Sequence, residues 1–476
     1  MNFQTIATFI LFINIIISIT IISLERKKPE KAIAWLLVLT LLPPVGLILY
    51  IFLGRNWKLH KLNETITDDI KELIYPITKD YKHQEYVPLM ELLANNSDSP
   101  IFINNDIKIF ADGTEKFASL KEELLKATHH IHLEYYIVKS DEIGNEIKDI
   151  LIKKSREGVI VRFIMDRVGS IKIKRSYIND LKNAGVDVVQ YSYFLAPILR
   201  SINTQINYRN HRKIVVIDGK VGFIGGANIG DEYLGKGKLG YWRDTHIMVK
   251  GDFVLGLQAV FLDDFMTIQR ANNQYSFYDL EFKHYFPTPE KHGDKVMQLV
   301  KSGPDSTFPS IMQGVVKMIS MATHHIYITT PYFVPTESVL EALRIAALGG
   351  IDVRILFPGQ ADHLVVYYAS RTYLLDLLKC GAHIYLYDEK SFVHAKVTTV
   401  DGRIATLGTA NMDIRSYELN YEINAMIYDS KVTEELEMMF YNDISKSKKL
   451  TLEDFQNTKR IYKIIEAVSR MFSAIL

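Results

Sequence analysis

Cysteine is nearly missing from this 476-residue chain, with Cys380 standing alone. An intramolecular disulfide and a cysteine-based metal site are thereby excluded. An excess of charge of one sign is missing as well. Lysine and arginine total 56 against 55 aspartates and glutamates, so no global field argues for a nucleic-acid partner. The length allows about two or three domains.

Long apolar runs, by contrast, are present, and both lie at the front. Residues 6–24 carry Asn14 as their only strongly polar side chain, and 32–53 form a second run. About 20 helical residues cross a hydrocarbon core, so the two runs predict a two-helix transmembrane hairpin over 1–57. The first run lacks a basic start and a small-residue cleavage site, which argues against a signal peptide. Pro43-Pro44 should kink the second helix, and Trp35, Tyr50 and Trp57 sit where interfacial aromatics belong. Four basic residues in the connecting loop face four beyond the second run, so orientation is a tie. Residues 58–106 are polar and mixed and read as a linker with one or two short helices, Asn95-Asn96-Ser97 marking a loop.

Two homologous segments follow. Ala127-Thr128-His129-His130-Ile131 recurs as Ala322-Thr323-His324-His325-Ile326, and the run beginning at Gly158 recurs at Gly350. Each half, 107–285 and 290–476, reads helix, strand, helix, strand, helix, strand and then a hairpin. That alternation predicts an α/β fold with a mostly parallel sheet flanked by helices. The paired histidines end an amphipathic helix before a strand, where packing is a commoner role than metal binding.

The hairpins carry the chemistry. His211, Lys213, Asp218, Gly225 and Asn228 follow the pattern H-x-K-x4-D-x6-G-x-x-N, and His394, Lys396, Asp401, Gly408 and Asn411 repeat it with no residue inserted or lost. One such match is weak; two with identical spacing define a motif. Side chains alternate along a strand, so each histidine shares a face with its lysine. Glycines at the end of the next strand let backbone N–H groups approach a ligand. Duplicated histidine, lysine, asparagine and small residues describe a site for a tetrahedral phosphate, over motif regions 205–232 and 388–415.

With its two motifs, the chain resembles the bacterial cardiolipin synthases of the phospholipase D superfamily. Tyr241-Trp242-Arg243-Asp244-Thr245, Asp362-His363, Arg415-Ser416 and the final helix ending at Leu476 carry the same resemblance. It implies that the halves meet at a pseudo-twofold axis to form one active site in a multi-pass protein of the bacterial cell membrane. It implies His211 as nucleophile and His394 as acid, with Lys213, Lys396, Asn228, Asn411 and Thr409 on the phosphate. Asp218 and Asp401 belong to the motif in a structural capacity, and Asp244 and Glu422 orient the histidines. Glu422 lies 28 residues after His394 and Asp244 lies 33 after His211. Gly226 departs from the superfamily, where serine is common. The implied substrate is phosphatidylglycerol and the product cardiolipin, with no metal, no cofactor and no nucleic acid; the oligomeric state is open. Rival readings are a hydrolytic phospholipase D, a phosphatidylserine synthase, a nuclease with a basic groove, and an inactive membrane scaffold.

Overall fold

The computed structural model describes residues 85–191, 208–271, 282–471 and 473, together with 29–42 and scattered positions between 12 and 50. By its internal contacts the chain divides into two units, 1–59 with 192–208 and 60–191 with 209–476. In the smaller unit Pro29–Leu41 is a helix, and the Trp35 and Tyr50 rings meet edge-on at 5.3 Å. Among the described residues no helix is long and apolar enough to cross a membrane. Of the runs on which the hairpin was expected, 6–24 lies largely outside those residues and 32–53 is described only in part.

The larger unit is built on one 16-stranded sheet. Its two halves repeat one plan. In the first, three strands, His130–Tyr135, Ile160–Asp166 and Asp187–Tyr191, run parallel, because a helix crosses over between each pair. In the second, His325–Thr329, Asp352–Phe357 and His383–Leu386 do the same. The motif hairpins then join antiparallel, Ile214–Ile217 with Val221–Gly225 and Val397–Val400 with Ile404–Gly408. Next to them pair the returning strands His246–Lys250 and Asn420–Ile427, again antiparallel.

The expectation of a mostly parallel sheet is therefore corrected: the sheet is mixed, and most neighbouring pairs are antiparallel. Helix alternation dictates direction only where a helix crosses over. Asp218 and Gly219 (φ 54° and 65°) and Asp401 and Gly402 (φ 55° and 64°) make tight turns that reverse the chain at once.

The halves share the sheet without a break. Ile101–Phe110 pairs antiparallel with Lys295–Ser302, each also bound to the returning strand of its own half. This moves order into the expected linker. Val87–Ser97 is a helix that includes the predicted loop Asn95-Asn96-Ser97, and it buries Leu89, Met90 and Leu93 in the second half's core. Its apolar residues, spaced three or four apart, give it a face to bury. Each half has its own apolar core: Phe117, Leu120, Ile147, Phe163 and Val215 in the first, Ile319, Ile328, Leu343, Ile355 and Leu374 in the second.

The paired histidines belong to this packing. His130 Nε2 meets Gln258 Oε1 at 2.9 Å, and Gln258 Nε2 meets His132 Nδ1 at 2.8 Å. His325 Nε2 meets Glu437 Oε1 at 2.9 Å.

Candidate active site

Both motif histidines lie just outside regular strand, which corrects the expectation that His211 and Lys213 share one. Residues 209–210 leave their own half and pair in parallel with 420–421, and the chain enters the hairpin strand only at Ile214. In the same way Ser391–Val393 pairs with Tyr241–Arg243. The His211 amide donates to the Tyr421 carbonyl at 3.0 Å, and the His394 amide to the Arg243 carbonyl at 2.7 Å. Each histidine is thus held by backbone on the segment leading to the other half's acid.

The side chains follow. His211 Nδ1 lies 2.9 and 3.0 Å from the two oxygens of Glu422, and His394 Nδ1 lies 2.7 Å from Asp244 Oδ2. Sequence proximity had suggested the opposite, Glu422 with His394 and Asp244 with His211. The pairing is crossed, because the parallel bridges 209–210/420–421 and 391–393/241–243 fix the register. An ionised carboxylate only accepts, so Nδ1 carries the proton in both rings and Nε2 keeps its lone pair.

The lysines complete the cluster. Lys213 Nζ donates to the His211 carbonyl at 2.6 Å, and Lys396 Nζ to the His394 carbonyl at 2.5 Å and His394 Nε2 at 3.1 Å. All four motif side chains are buried. Burial lowers Lys213 to about 7, with Glu422 opposing and Lys396 assisting. It lowers Lys396 to about 8, against the pull of Asp244 and Glu422. His211 falls to about 4 through burial, with Glu422 opposing, and His394 to about 4 through burial and then the Lys396 charge. Burial pushes Glu422 up, but His211, Lys213 and Thr409 outweigh it and leave it below the ordinary carboxylate value. These mutual effects join the two motifs into one electrostatic site.

The small residues explain the departure at Gly226. Gly226 and Thr409 occupy equivalent positions, their amides donating to Thr245 and Ile423 carbonyls. A Cβ at 226 would overlap Asp244 Oδ1. Where the acid is the longer Glu422, a side chain fits, and Thr409 Oγ1 donates to Glu422 Oε2 at 2.6 Å while accepting from the Ile423 amide at 2.9 Å. The hydroxyl of Thr409 is thus engaged with the acid and the backbone beside it.

Asn228 Nδ2 donates to Tyr233 Oη at 3.1 Å and its Oδ1 accepts from the Ile137 amide. Asn411 Oδ1 is buried and has no hydrogen-bond partner among the described residues.

Asp218 and Asp401, grouped with the catalytic residues by the motif, do not reach the cluster. They lie five residues past the lysines, at the far end of strands that rise about 3.3 Å per residue. Asp218 accepts from the amides of Thr128, His129 and His130 and from Thr128 Oγ1, at 2.8–2.9 Å. Asp401 does the same for Thr323, His324 and His325 at 2.7–2.8 Å. Each clamps a hairpin turn to the start of its neighbouring strand.

Two aromatic contacts were not anticipated. Tyr233 Oη lies 3.5 Å from His394 Nδ1, and the Tyr136 ring packs edge-on to His211 at 4.8 Å. Tyr233 sits in a 3-10 turn outside either motif, where no spacing signals it.

Known proteins resemble this chain over nearly its whole length. The family model described as cardiolipin synthase, PLD-like domain, matches residues 120–238 and 315–444. A model for the amino-terminal segment of phospholipase D-nucleases matches 12–55. The cardiolipin synthase of Geobacillus sp. (strain WCH70) is 42% identical over 469 residues, 96% of this chain and 91% of that one. The major cardiolipin synthase ClsA of Bacillus subtilis (strain 168) is 40% identical, with both chains fully covered. Among solved structures, the phosphatidylserine synthase of Haemophilus influenzae Rd KW20 shares the fold, with a TM-score of 0.61 at 15% identity over 82% of this chain and all of that one. Two motifs, two matched domains and relatives aligned from end to end lead to one conclusion: the chain belongs to the cardiolipin synthases of the phospholipase D superfamily.

Proposed function

We propose that the protein is a membrane phosphatidyltransferase that converts two phosphatidylglycerols into cardiolipin and glycerol through a phosphatidyl-histidine intermediate. The observation that carries the chemistry is the crossed pair of buried histidine–carboxylate couples with a lysine beside each histidine. His211 Nε2 attacks phosphorus as the bond to the glycerol headgroup oxygen breaks. His394 gives that oxygen its proton, and glycerol leaves. A hydroxyl of the second phosphatidylglycerol then returns a proton to His394, bonds to phosphorus and releases His211. The charges of Lys213 and Lys396, with the amides of Asn411 and Asn228, stabilise the pentacoordinate phosphorus.

An empty site leaves His394 uncharged at neutral pH, with Nε2 bare. A bound phosphodiester anion opposes the Lys396 charge and raises the histidine's affinity for the proton it must donate. One phosphodiester is exchanged for another, so no nucleotide is needed.

In this reading residues 1–57 form a transmembrane hairpin, supported by the two apolar runs and by the family match over 12–55. Segments 107–285 and 290–476 act as the two catalytic halves. The test is purified protein with labelled phosphatidylglycerol, resolving the lipid products. Cardiolipin and glycerol in equal amounts are expected. Phosphatidic acid without cardiolipin would mark a hydrolase, and dependence on serine and a nucleotide-activated lipid would mark a phosphatidylserine synthase.

A further inference from the structure

The last helix, Arg460–Met471, is built inside out. Its inward face is polar: Glu466 and Ser469 are buried, and Arg371 Nε binds Glu466 Oε1 at 2.6 Å. Arg470 binds Asp376 at 2.9 Å and lies over the Tyr373 ring at 4.3 Å. All these partners belong to the helix Leu364–Lys379, whose Tyr368 stacks on Tyr462. The outward face is apolar. Ile461, Ile464, Val468 and Met471 are 58, 59, 47 and 81% exposed. At 100° per residue these four fall within an arc of about 80°. A helix facing only water has the opposite arrangement.

The charges around this stripe are of one sign. Lys459, Arg460 and Lys463 are exposed, Lys463 donating to the Gln456 carbonyl. The helix's one acid, Glu466, is buried against Arg371. The apolar surface also continues toward the active site. Leu364 and Val365, 64 and 45% exposed, lie one turn before Tyr368. They follow His363, which packs on the Tyr332 ring, and Tyr332 Oη donates to Asp362 at 2.8 Å. Phe333 pairs with Met412, the residue after Asn411.

We infer that the exposed face of helix Arg460–Met471, with Leu364 and Val365, lies in the headgroup region of an anionic bilayer. Apolar side chains enter the acyl boundary while the flanking lysines and arginine meet lipid phosphates, as in interfacial amphipathic helices. Packed residues, His363 on Tyr332 and Phe333 beside Met412, connect this surface to Asn411 at the site. This rests on the lipid-substrate reading only for what enters the site.

The test uses the full chain carrying Cys380→Ser and either Ile464→Cys or Val468→Cys, labelled with an environment-sensitive dye. The protein is reconstituted in phosphatidylglycerol–phosphatidylcholine vesicles containing lipids quencher-tagged at shallow or deep acyl positions. Shallow-tagged lipid should quench both sites at least twofold more than it quenches a dye at Lys153→Cys. Ile464→Asp with Val468→Asp should lower activity on the same vesicles at least tenfold with an unchanged melting temperature. Unquenched dyes overturn the inference. So does a disulfide between two chains of unlabelled Ile464→Cys protein together with no quenching of the labelled protein, since the face is then covered by a second copy. The depth measurement needs no turnover, so failure to make cardiolipin would leave its result standing.

Discussion

At the scale of single residues, the proton on Nδ1 of each histidine decides what the rings can do. Replacing Glu422 with Gln keeps shape and burial but lets Nδ1 take the lone pair and hands Nε2 the proton. Turnover of phosphatidylglycerol should fall by roughly three to four orders of magnitude, as when a triad acid is amidated. Asp244→Asn should do the same through His394. The two histidines themselves separate by adduct chemistry. Exposed to a phosphatidyl ester with a good leaving group, His394→Ala should accumulate a phosphatidyl adduct on His211, whereas His211→Ala should form none. Mass spectrometry of both variants reads the difference, and an adduct on His394 instead would reverse the roles. The lysines set the alkaline side of the pH profile. Burial brings Lys213 to about 7 and Lys396 to about 8, and a lysine with a lowered pKa loses its charge as pH rises through that value. The kcat/KM of the free enzyme should therefore decline across about pH 7 to 8, while the histidines, both near 4, stay uncharged over that range.

At the scale of elements, the hairpin turns and the bridges between halves carry the design. Asp218→Ala removes four hydrogen bonds and leaves alanine at φ 54°. A loss of roughly 2–4 kcal/mol in denaturant unfolding is expected, from unpaired backbone amides plus left-handed strain. Turnover by the folded fraction should be preserved. Gly226→Ala should do the reverse, displacing Asp244 and cutting turnover with little change in stability. The two motifs were legible because their spacing is fixed by strand, turn and strand, all local matters. The repeated helix-and-strand order was legible for the same reason. The crossing of acids was not, since nothing within 28 or 33 residues of a histidine reveals which strand it will lean on. Sheet direction failed similarly: crossover helices were visible, but not where the motif hairpins and returning strands would pair, and these make most neighbouring pairs antiparallel. Short helices were expected in the linker, but the docking of Val87–Ser97 into the second half's core was not legible because its apolar face is short.

At the scale of the molecule, the positive charge at the site comes from lysines on the chain itself. A chelator should therefore leave most activity intact, and a loss restored by a divalent ion would show the phosphate chemistry misassigned. If the proposed hairpin supplies local concentration, deleting residues before Lys58 should retain transfer on detergent-dispersed lipid but lose most of it on intact vesicles. Equal activity on vesicles would remove the hairpin from substrate delivery. The crossed couples also have a consequence in time. His211 and its acid are 211 residues apart, so at about 5–20 residues per second the ribosome takes roughly 10 to 40 s to make Glu422 after His211. His394 meets its acid at once, but has no nucleophile to serve until the same strand arrives. In the proposed reading, a nascent chain whose apolar front has reached the bilayer is thus surrounded by lipid it cannot yet alter, and chemistry waits for the strand Asn420–Ile427.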